Sequence, residues 1–435
     1  MRKSFLALVT MFGLLFLSLF YWQICADIQD HPANPRYYQM FKEDRGVIYD
    51  RRGVPLAAST SDGTIFARNY AAPSLCHVVG YFHQRYGMTG LERRYHEDLS
   101  QGRSLITTLD LDVQKVAEQA LAGKQGAVVV VKPTSGEVLA LVSSPGVDGN
   151  ALDANWSNYL GDERSPFLNR ATHGLYPPGS VVKPIVYGAA LGEGLVERNQ
   201  IWHDHGSMVL ENRTISNYGG KAHGSITTDQ ALAVSSNVVF AQLAMSLGDR
   251  LIEEFRRFGF GMDVGFDLQN LGGYLPAKIT SAYDAAQLGI GQGELLVTPL
   301  QMASVVSTIA NGGVLMRPFV VQEVRGGLKM RQITRPQSIS QVLPGSQARD
   351  VQEAMVLAAR EGTAQTSLPL SLDYGGKTGT AQTGSGADHA WFIGFAPTER
   401  PQVAVAVLVE QGGSGSQVAV PIGVTVMDAA LRVDE

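Results

Sequence analysis

Cysteine is almost missing from this 435-residue chain, with only Cys25 and Cys76 present. Two cysteines supply neither a disulfide framework nor a thiolate metal site, so both are read as free or buried. Charge is sparse as well: 17% of residues are Asp, Glu, Lys or Arg, and the net charge is -5. There is no basic block and no stripe of interleaved basic and aromatic residues, which leaves nucleic acid without an electrostatic footprint. Internal repeats are lacking, and no second long apolar run follows the one at the N-terminus, so a single membrane crossing is expected. What is present is a 45% hydrophobic composition, enough for one large core or two moderate ones.

The N-terminal run begins after Arg2 and Lys3 and continues from Phe5 to about Tyr21, with Trp22 at its far edge. About 20 apolar residues span a bilayer, and the run reaches that length if Ile24, Cys25 and Ala26 are included. Positive charge before it and aromatics after it predict the N-terminus inside and the bulk of the chain outside. The competing reading is a cleaved signal peptide, but such apolar regions run to about 7–15 residues, and Ile24-Cys25-Ala26 is a poor cleavage site. Residues 1–26 are therefore read as a short cytoplasmic tail and retained anchor.

Residues 27–104 are polar and turn-rich, with short candidate strands at Gly46–Tyr49 and Thr64–Tyr70, and read as a small juxtamembrane module. From Leu105 the texture changes, and 105–435 reads as the catalytic unit. Asp110 to Leu121 has helical spacing of Leu111, Val113, Val116, Ala117 and Ala120. Two β-rich runs, Gly126–Lys132 and Glu137–Ser143, flank a Pro/Gly-containing turn, a hairpin signal. Helical patterns follow at Ile185–Leu191, Thr228–Leu247 and Ala282–Leu288. Strands return at Asp388–Phe395 and Gln402–Glu410, before a last helical stretch at Pro421–Leu431. Strands at both ends with helices between predict an α+β domain with one sheet completed by both termini.

Three short motifs carry the chemistry. In Tyr176-Pro-Pro-Gly-Ser180-Val-Val-Lys183, Pro178 and Gly179 break the chain and Ser180 opens a helix. Ser180 and Lys183, three apart, share a helical face. A serine hydroxyl needs a base in contact, and a desolvated lysine near other positive charge can serve. Alone, Ser-x-x-Lys arises roughly once by chance in such a chain, and Ser180 could be a helix N-cap. The second motif, Ser235-Ser236-Asn237, is a polar triplet in an apolar helical stretch, which a solvent-facing helix junction would also explain. The third, Gly375-Gly-Lys377-Thr378-Gly379-Thr380, puts a lysine and two hydroxyls on a glycine-flanked edge strand suited to a carboxylate. It lacks the Gly-x-x-x-x-Gly-Lys-Ser/Thr spacing of a phosphate loop. His203-Asp204-His205 has no third metal-ligand pattern nearby and is read as loop.

Ser-x-x-Lys, Ser-Asp-Asn and Lys-Thr-Gly together are the pattern of penicillin-binding proteins and class A β-lactamases. With all three in order, the chain resembles the class B penicillin-binding proteins over nearly its whole length. Arg45–Ala57, Gly90-Leu-Glu92-Arg-Arg-Tyr95, Asn169-Arg170-Ala171, Gly291-Gln292-Gly293 with Thr298–Gln301, and His389–Pro397 are further matches. The short module is most similar to that of the actinobacterial and related Gram-positive members. The resemblance implies a penicillin-binding, serine β-lactamase-like transpeptidase domain: an antiparallel sheet with flanking helices, after a single transmembrane helix. It implies a peptidoglycan D,D-transpeptidase in which Ser180 is acylated by the terminal D-Ala-D-Ala of a stem peptide and, covalently, by β-lactams. Lys183 would take the Ser180 proton, Ser235 would relay it to the leaving D-alanine, and Asn237 would hold the substrate amide. Lys377 would supply positive charge, and Thr378, Gly379 and Thr380 would bind the donor, the two threonines at its carboxylate. The Ser180 and Thr380 N–H groups would form the oxyanion hole. No cofactor and no metal are implied. The implied membrane partner is a glycosyltransferase of the shape, elongation, division and sporulation family.

Departures are small: Val182 where an aromatic is frequent, a short module, and Ser236 in place of the aspartate of the three-motif pattern, a replacement common among these proteins that weakens a β-lactamase reading. A bifunctional enzyme with its own glycosyltransferase has no room between anchor and Ser180. A D,D-carboxypeptidase or β-lactamase would pass the acyl group to water, and a non-enzymatic β-lactam sensor would need a signalling segment that Met1 to Lys3 cannot provide.

Overall fold

The computed structural model describes residues 2–22 and 40–433, apart from 62, 64, 327–330, 369–370 and 385. It begins with helix α1 (Arg2–Phe20), whose apolar side chains are exposed all round, Phe5 at 70% and Phe16 at 68%. Among the described residues no helix is long and apolar enough to cross a membrane. Within α1 the apolar part, Phe5 to Phe20, extends about 24 Å at 1.5 Å per residue, short of the ~30 Å hydrocarbon core. The expected continuation, Ile24, Cys25 and Ala26, lies outside the described residues.

The N-terminal sheet is built from β1 (Ile48–Tyr49), β2 (Pro55–Ser61), β3 (Phe66–Tyr70) and β4 (Ser104–Thr107). β1 pairs antiparallel with β2 and parallel with β4. After β4, Asp110 caps helix α2 (Leu111–Ala120) by accepting from the Asp112 and Val113 N–H groups. The hairpin β5 (Gly126–Val131) and β6 (Val138–Ser144) forms as its pattern predicts.

The middle of the chain is helical. It holds α3 (Lys183–Gly192), α4 (Thr228–Ala233), α5 (Asn237–Leu247) and α6 (Pro299–Ala310). The stretch Thr228–Leu247, helical in pattern, is two helices with a junction at the polar triplet: the backbone reverses hand at Ser235, where φ is +62°. Next come β7 (Val321–Arg325), β8 (Gln332–Ile333), α7 (Gly345–Glu361), β9 (Gly375–Ala381), β10 (His389–Ala396), β11 (Val403–Val409) and α8 (Gly415–Arg432).

β7 and β8 leave the catalytic unit and complete the N-terminal sheet, in the order β8-β7-β4-β1-β2-β3. The second sheet is antiparallel throughout, in the order β9-β10-β11-β5-β6, so both ends of the unit contribute. The uniform apolar runs of its central strands follow from burial on both faces. Along β11, Val403, Val405 and Val407 pack toward α8 and α2, while Ala404, Ala406 and Leu408 join the larger core. That alternation is the period-two geometry of a strand. α6, closed at its start by a Thr298–Gln301 capping box, is buried along its whole length against β11 and β5.

Candidate active site

The segment before Ser180 is held from several sides. Tyr176 exchanges both backbone hydrogen bonds with Val297, and its hydroxyl donates to Glu410 at 2.6 Å. Arg170 donates to the same Glu410 oxygen at 2.7 Å, and the Trp391 indole N–H donates to the Pro177 carbonyl at 3.1 Å. The Gly179 N–H donates to the Gly291 carbonyl at 2.8 Å. Gly291 has φ +75°, and a Cβ there would lie 2.0 Å from the Gly179 oxygen, so only glycine lets the two turns touch.

Gly179–Val182 is one turn of 3₁₀ helix that runs on into α3. In a 3₁₀ turn, side chains at i and i+3 eclipse, which stacks Ser180 over Lys183 more directly than an α-turn would. Neither the 3₁₀ turn nor α3 has a side-chain cap, so the Ser180 hydroxyl does not serve as an N-cap.

The second motif stops one helix and starts the next. The Ser235 N–H donates to the Leu232 carbonyl at 3.1 Å and the Ser236 N–H to Ala231 at 2.9 Å, closing α4 in a Schellman arrangement with Ser235 at the left-handed position. Ser236 is then the N-cap of α5, accepting from the Val239 N–H at 3.1 Å. The reversal turns Ser235 Oγ toward two lysines. Lys377 Nζ donates to it at 2.8 Å and Lys183 Nζ at 3.3 Å. Lys183 Nζ also donates to the Ser235 carbonyl at 2.8 Å and to Asn237 Oδ1 at 2.7 Å.

The third motif is β9, the edge of the antiparallel sheet. Gly379 packs under the nucleophile turn: a Cβ there would stand 3.0 Å from the Pro178 carbonyl oxygen and from Val181. Part of the demand for glycine in this strand is therefore internal packing, beyond any approach of substrate. Thr380 is half-buried on the cleft, whereas Thr378 is buried and its hydroxyl donates to Thr363 at 2.7 Å.

Ser180, Ser235, Asn237, Thr378 and Thr380 line a cleft of about 850 Å³. Both lysines are fully buried beneath it. Burial, and then repulsion from Lys377, holds Lys183 well below the ordinary lysine range. Burial brings Lys377 down to about 7. Desolvation disfavours the ammonium and so moves Lys183 toward the neutral amine a base requires, against the three acceptors gathered on Nζ. The arrangement provides a nucleophile, a desolvated base one turn away, and a hydroxyl bridging the base to a second lysine.

Sequence reasoning missed the support behind the second motif. His203 and Asp204 lie in a strand, Ile201–Asp204, paired with Gly224–Thr227, and not in the loop expected. Asp204 is buried and accepts from Ser236 Oγ at 2.7 Å and, on both carboxylate oxygens, from Asn217 Nδ2 at 2.8 Å. Thr363, too, carried no local signal. Among the described residues no group of three His, Cys, Asp or Glu side chains could hold a metal ion.

The chain belongs to the penicillin-binding-protein transpeptidases, in their class B form: the model of the penicillin-binding protein transpeptidase domain matches residues 126–428. Residues 45–125 match the penicillin-binding protein A dimerisation domain. The chain is 32% identical to the peptidoglycan D,D-transpeptidase PbpA of Mycolicibacterium smegmatis, over 99% of each chain. It is 33% identical to the D,D-transpeptidase MrdA of Escherichia coli over 73% of this chain and 56% of that one. The structure of penicillin-binding protein A from M. tuberculosis, a ceftriaxone acyl-enzyme complex, superposes with a TM-score of 0.85 at 30% identity, covering 90% of this chain and 99% of that one.

Proposed function

We propose that this chain is a peptidoglycan D,D-transpeptidase that works through an acyl-enzyme on Ser180. The observation that carries the reading is the sharing of Ser235 Oγ by two buried lysines at the floor of the Ser180 cleft. Lys183, neutral, takes the Ser180 proton as Oγ attacks the penultimate D-alanine carbonyl. The Ser180 and Thr380 N–H groups hold the oxyanion. Lys183 passes the proton through Ser235 to the departing amine, the C–N bond breaks, and D-alanine leaves. An acceptor amine then attacks the ester, its proton returns through the same groups to Ser180, and a new amide cross-link results. Lys377, Thr378, Gly379 and Thr380 bind the donor end, with the charge of Lys377 and the two threonines facing its carboxylate. The Thr378 hydroxyl would exchange Thr363 for that carboxylate. β-Lactams enter the same way, opening their ring onto Ser180.

In this reading residues 1–26 form the anchor, 27–104 the juxtamembrane module and 105–435 the transpeptidase, with the catalytic unit outside the cell membrane. The partner is a membrane glycosyltransferase of the shape, elongation, division and sporulation family, docked through α1 and the module around Arg45 to Ala57. Two experiments test the proposal. A Ser180→Ala ectodomain should keep its fold and lose covalent labelling by fluorescent penicillin, and the wild type should convert stem peptides into cross-linked dimers. Products trimmed by one D-alanine without dimers would favour a carboxypeptidase, and label on another serine would refute the nucleophile. Replacing α1 with an unrelated helix should preserve labelling and weaken co-purification with the polymerase; co-purification and polymerisation unchanged by this swap and by substitutions in the Arg45 to Ala57 module remove the docking proposal.

A further inference from the structure

The three-motif pattern carries an aspartate between the serine and asparagine of its second motif, and this chain has Ser236 there. We propose that Asp204, contributed by a separate strand, places a carboxylate behind that position, and that with Asn217 it forms a positioning pair that sets Ser235 and Asn237 against Lys183. This inference rests on the acyl-enzyme reading above.

The contacts form a continuous chain. The Asp204 carboxylate, 1% exposed, accepts from Ser236 Oγ at 2.7 Å, from the Gly206 N–H at 2.8 Å and from Asn217 Nδ2. Asn217 Oδ1 in turn accepts from the Asn237 and Val238 N–H groups at 2.7 and 3.2 Å, while Ser236 Oγ accepts from Val239. Three of the orphan N–H groups at the start of α5 thus end on one buried carboxylate through two neutral relays. Asn237 is consequently fixed at its backbone by Asn217 and at its side chain between Lys183 and the Ser216 carbonyl. Ser235, one residue before the pinned Ser236, is fixed with it.

A carboxylate is an expensive group for scaffolding alone, because burying its charge without a cation costs more than burying an amide. Among the described residues Asp204 makes no ion pair; its charge acts through hydrogen bonds and through the field it places on Lys183. Burial alone would raise its pKa, yet the bonds from Ser236, Gly206 and Asn217 hold the carboxyl below its ordinary value. Lys183 is faced by Lys377 from β9, by Asp204 behind the second motif and by His223 across the cleft. Of these only Asp204 favours the protonated lysine, so it limits how far the base is depressed.

The test measures acylation by a fluorescent penicillin from about pH 5 to 9, with thermal unfolding recorded for each variant. Asp204→Asn should slow acylation about tenfold or more and shift the rising limb of the pH profile to lower pH, because loss of the carboxylate lowers Lys183 further. The double variant Ser236→Asp/Asp204→Asn, which returns the carboxylate to the motif itself, should recover most of the lost rate. Acylation within about twofold of wild type on an unmoved profile overturns the proposal, as does a double variant no faster than Asp204→Asn. Should Asp204→Asn fail to fold, Ser236→Ala removes the hydroxyl link to Asp204 together with the cap bond from Val239, and a rate within about twofold there overturns the proposal equally. Wild-type labelling at Ser180 in the same assay separates failure of this inference from failure of the acylation reading.

Discussion

At Ser235 a side chain needed for proton relay occupies a backbone position that usually belongs to glycine. The left-handed conformation at the end of α4 carries a steric penalty of about 1–2 kcal/mol for a residue with a Cβ. The hydroxyl contacts with Lys183 and Lys377 are what that strained placement supplies. Ser235→Gly and Ser235→Ala should both lose acylation, by about a hundredfold or more if the relay acts as a general acid–base group. They should differ in stability: Gly, free of the left-handed penalty, should be about 1 kcal/mol more stable than Ala. Denaturant unfolding of the two variants decides this, and equal stability would remove the strain argument.

Between elements, a buried ionic link inside the N-terminal module joins residues that the sequence kept apart. Glu92, fully buried in the helix that follows Thr89, receives Arg45 Nε at 2.6 Å and Arg68 Nε at 2.7 Å. Burial alone would raise the Glu92 carboxyl above its usual 4.5, but Arg68 and then Arg45 outweigh it and the carboxyl is held lower. Glu92→Gln strands two buried guanidinium groups and should cost about 3–5 kcal/mol. The folded carboxyl is depressed, so its contribution is complete above about 4.5 and drains away as pH falls through the lower folded value. Wild type should therefore lose stability more steeply than Glu92→Gln below that pH, measured as unfolding free energy against pH. The β5–β6 hairpin, the helix after Ser180 and the three motifs were legible in the sequence because each is a local pattern. A helix junction at Ser235-Ser236-Asn237 was one reading of the polar triplet, but the left-handed turn at Ser235 was not legible, since serine is not the residue such a helix end advertises. Asp204, Asn217 and the Arg45–Glu92–Arg68 cluster act across long sequence separations, where periodicity and spacing carry no signal.

For the molecule as a whole, the two sheets do not divide along the chain. β7 from the catalytic unit pairs with β4, so Val324 lies beside Leu105, and Leu105 beside Ile48. One apolar core likewise runs from Ile48 and Leu56 through Tyr187 and Phe240 to Leu408. A fragment starting at Leu105 would leave β4 without β1 and expose the core beneath it, presenting an open strand edge. Such a fragment should yield little monomer by size-exclusion chromatography, whereas one starting near Met40 should be monodisperse. A well-behaved monomer from the shorter fragment would show that the module is dispensable for folding.

The same interleaving bears on biogenesis. A chain released N-terminus first offers residues 48 to 107 early, yet their sheet cannot finish until Val321 to Arg325 has also emerged. Through that interval the nascent polypeptide waits with an unsatisfied flank, in the state where a holdase binds and a protease cuts. Quality control of this enzyme would then turn less on its catalytic centre than on how quickly a five-residue strand arrives late to its seat.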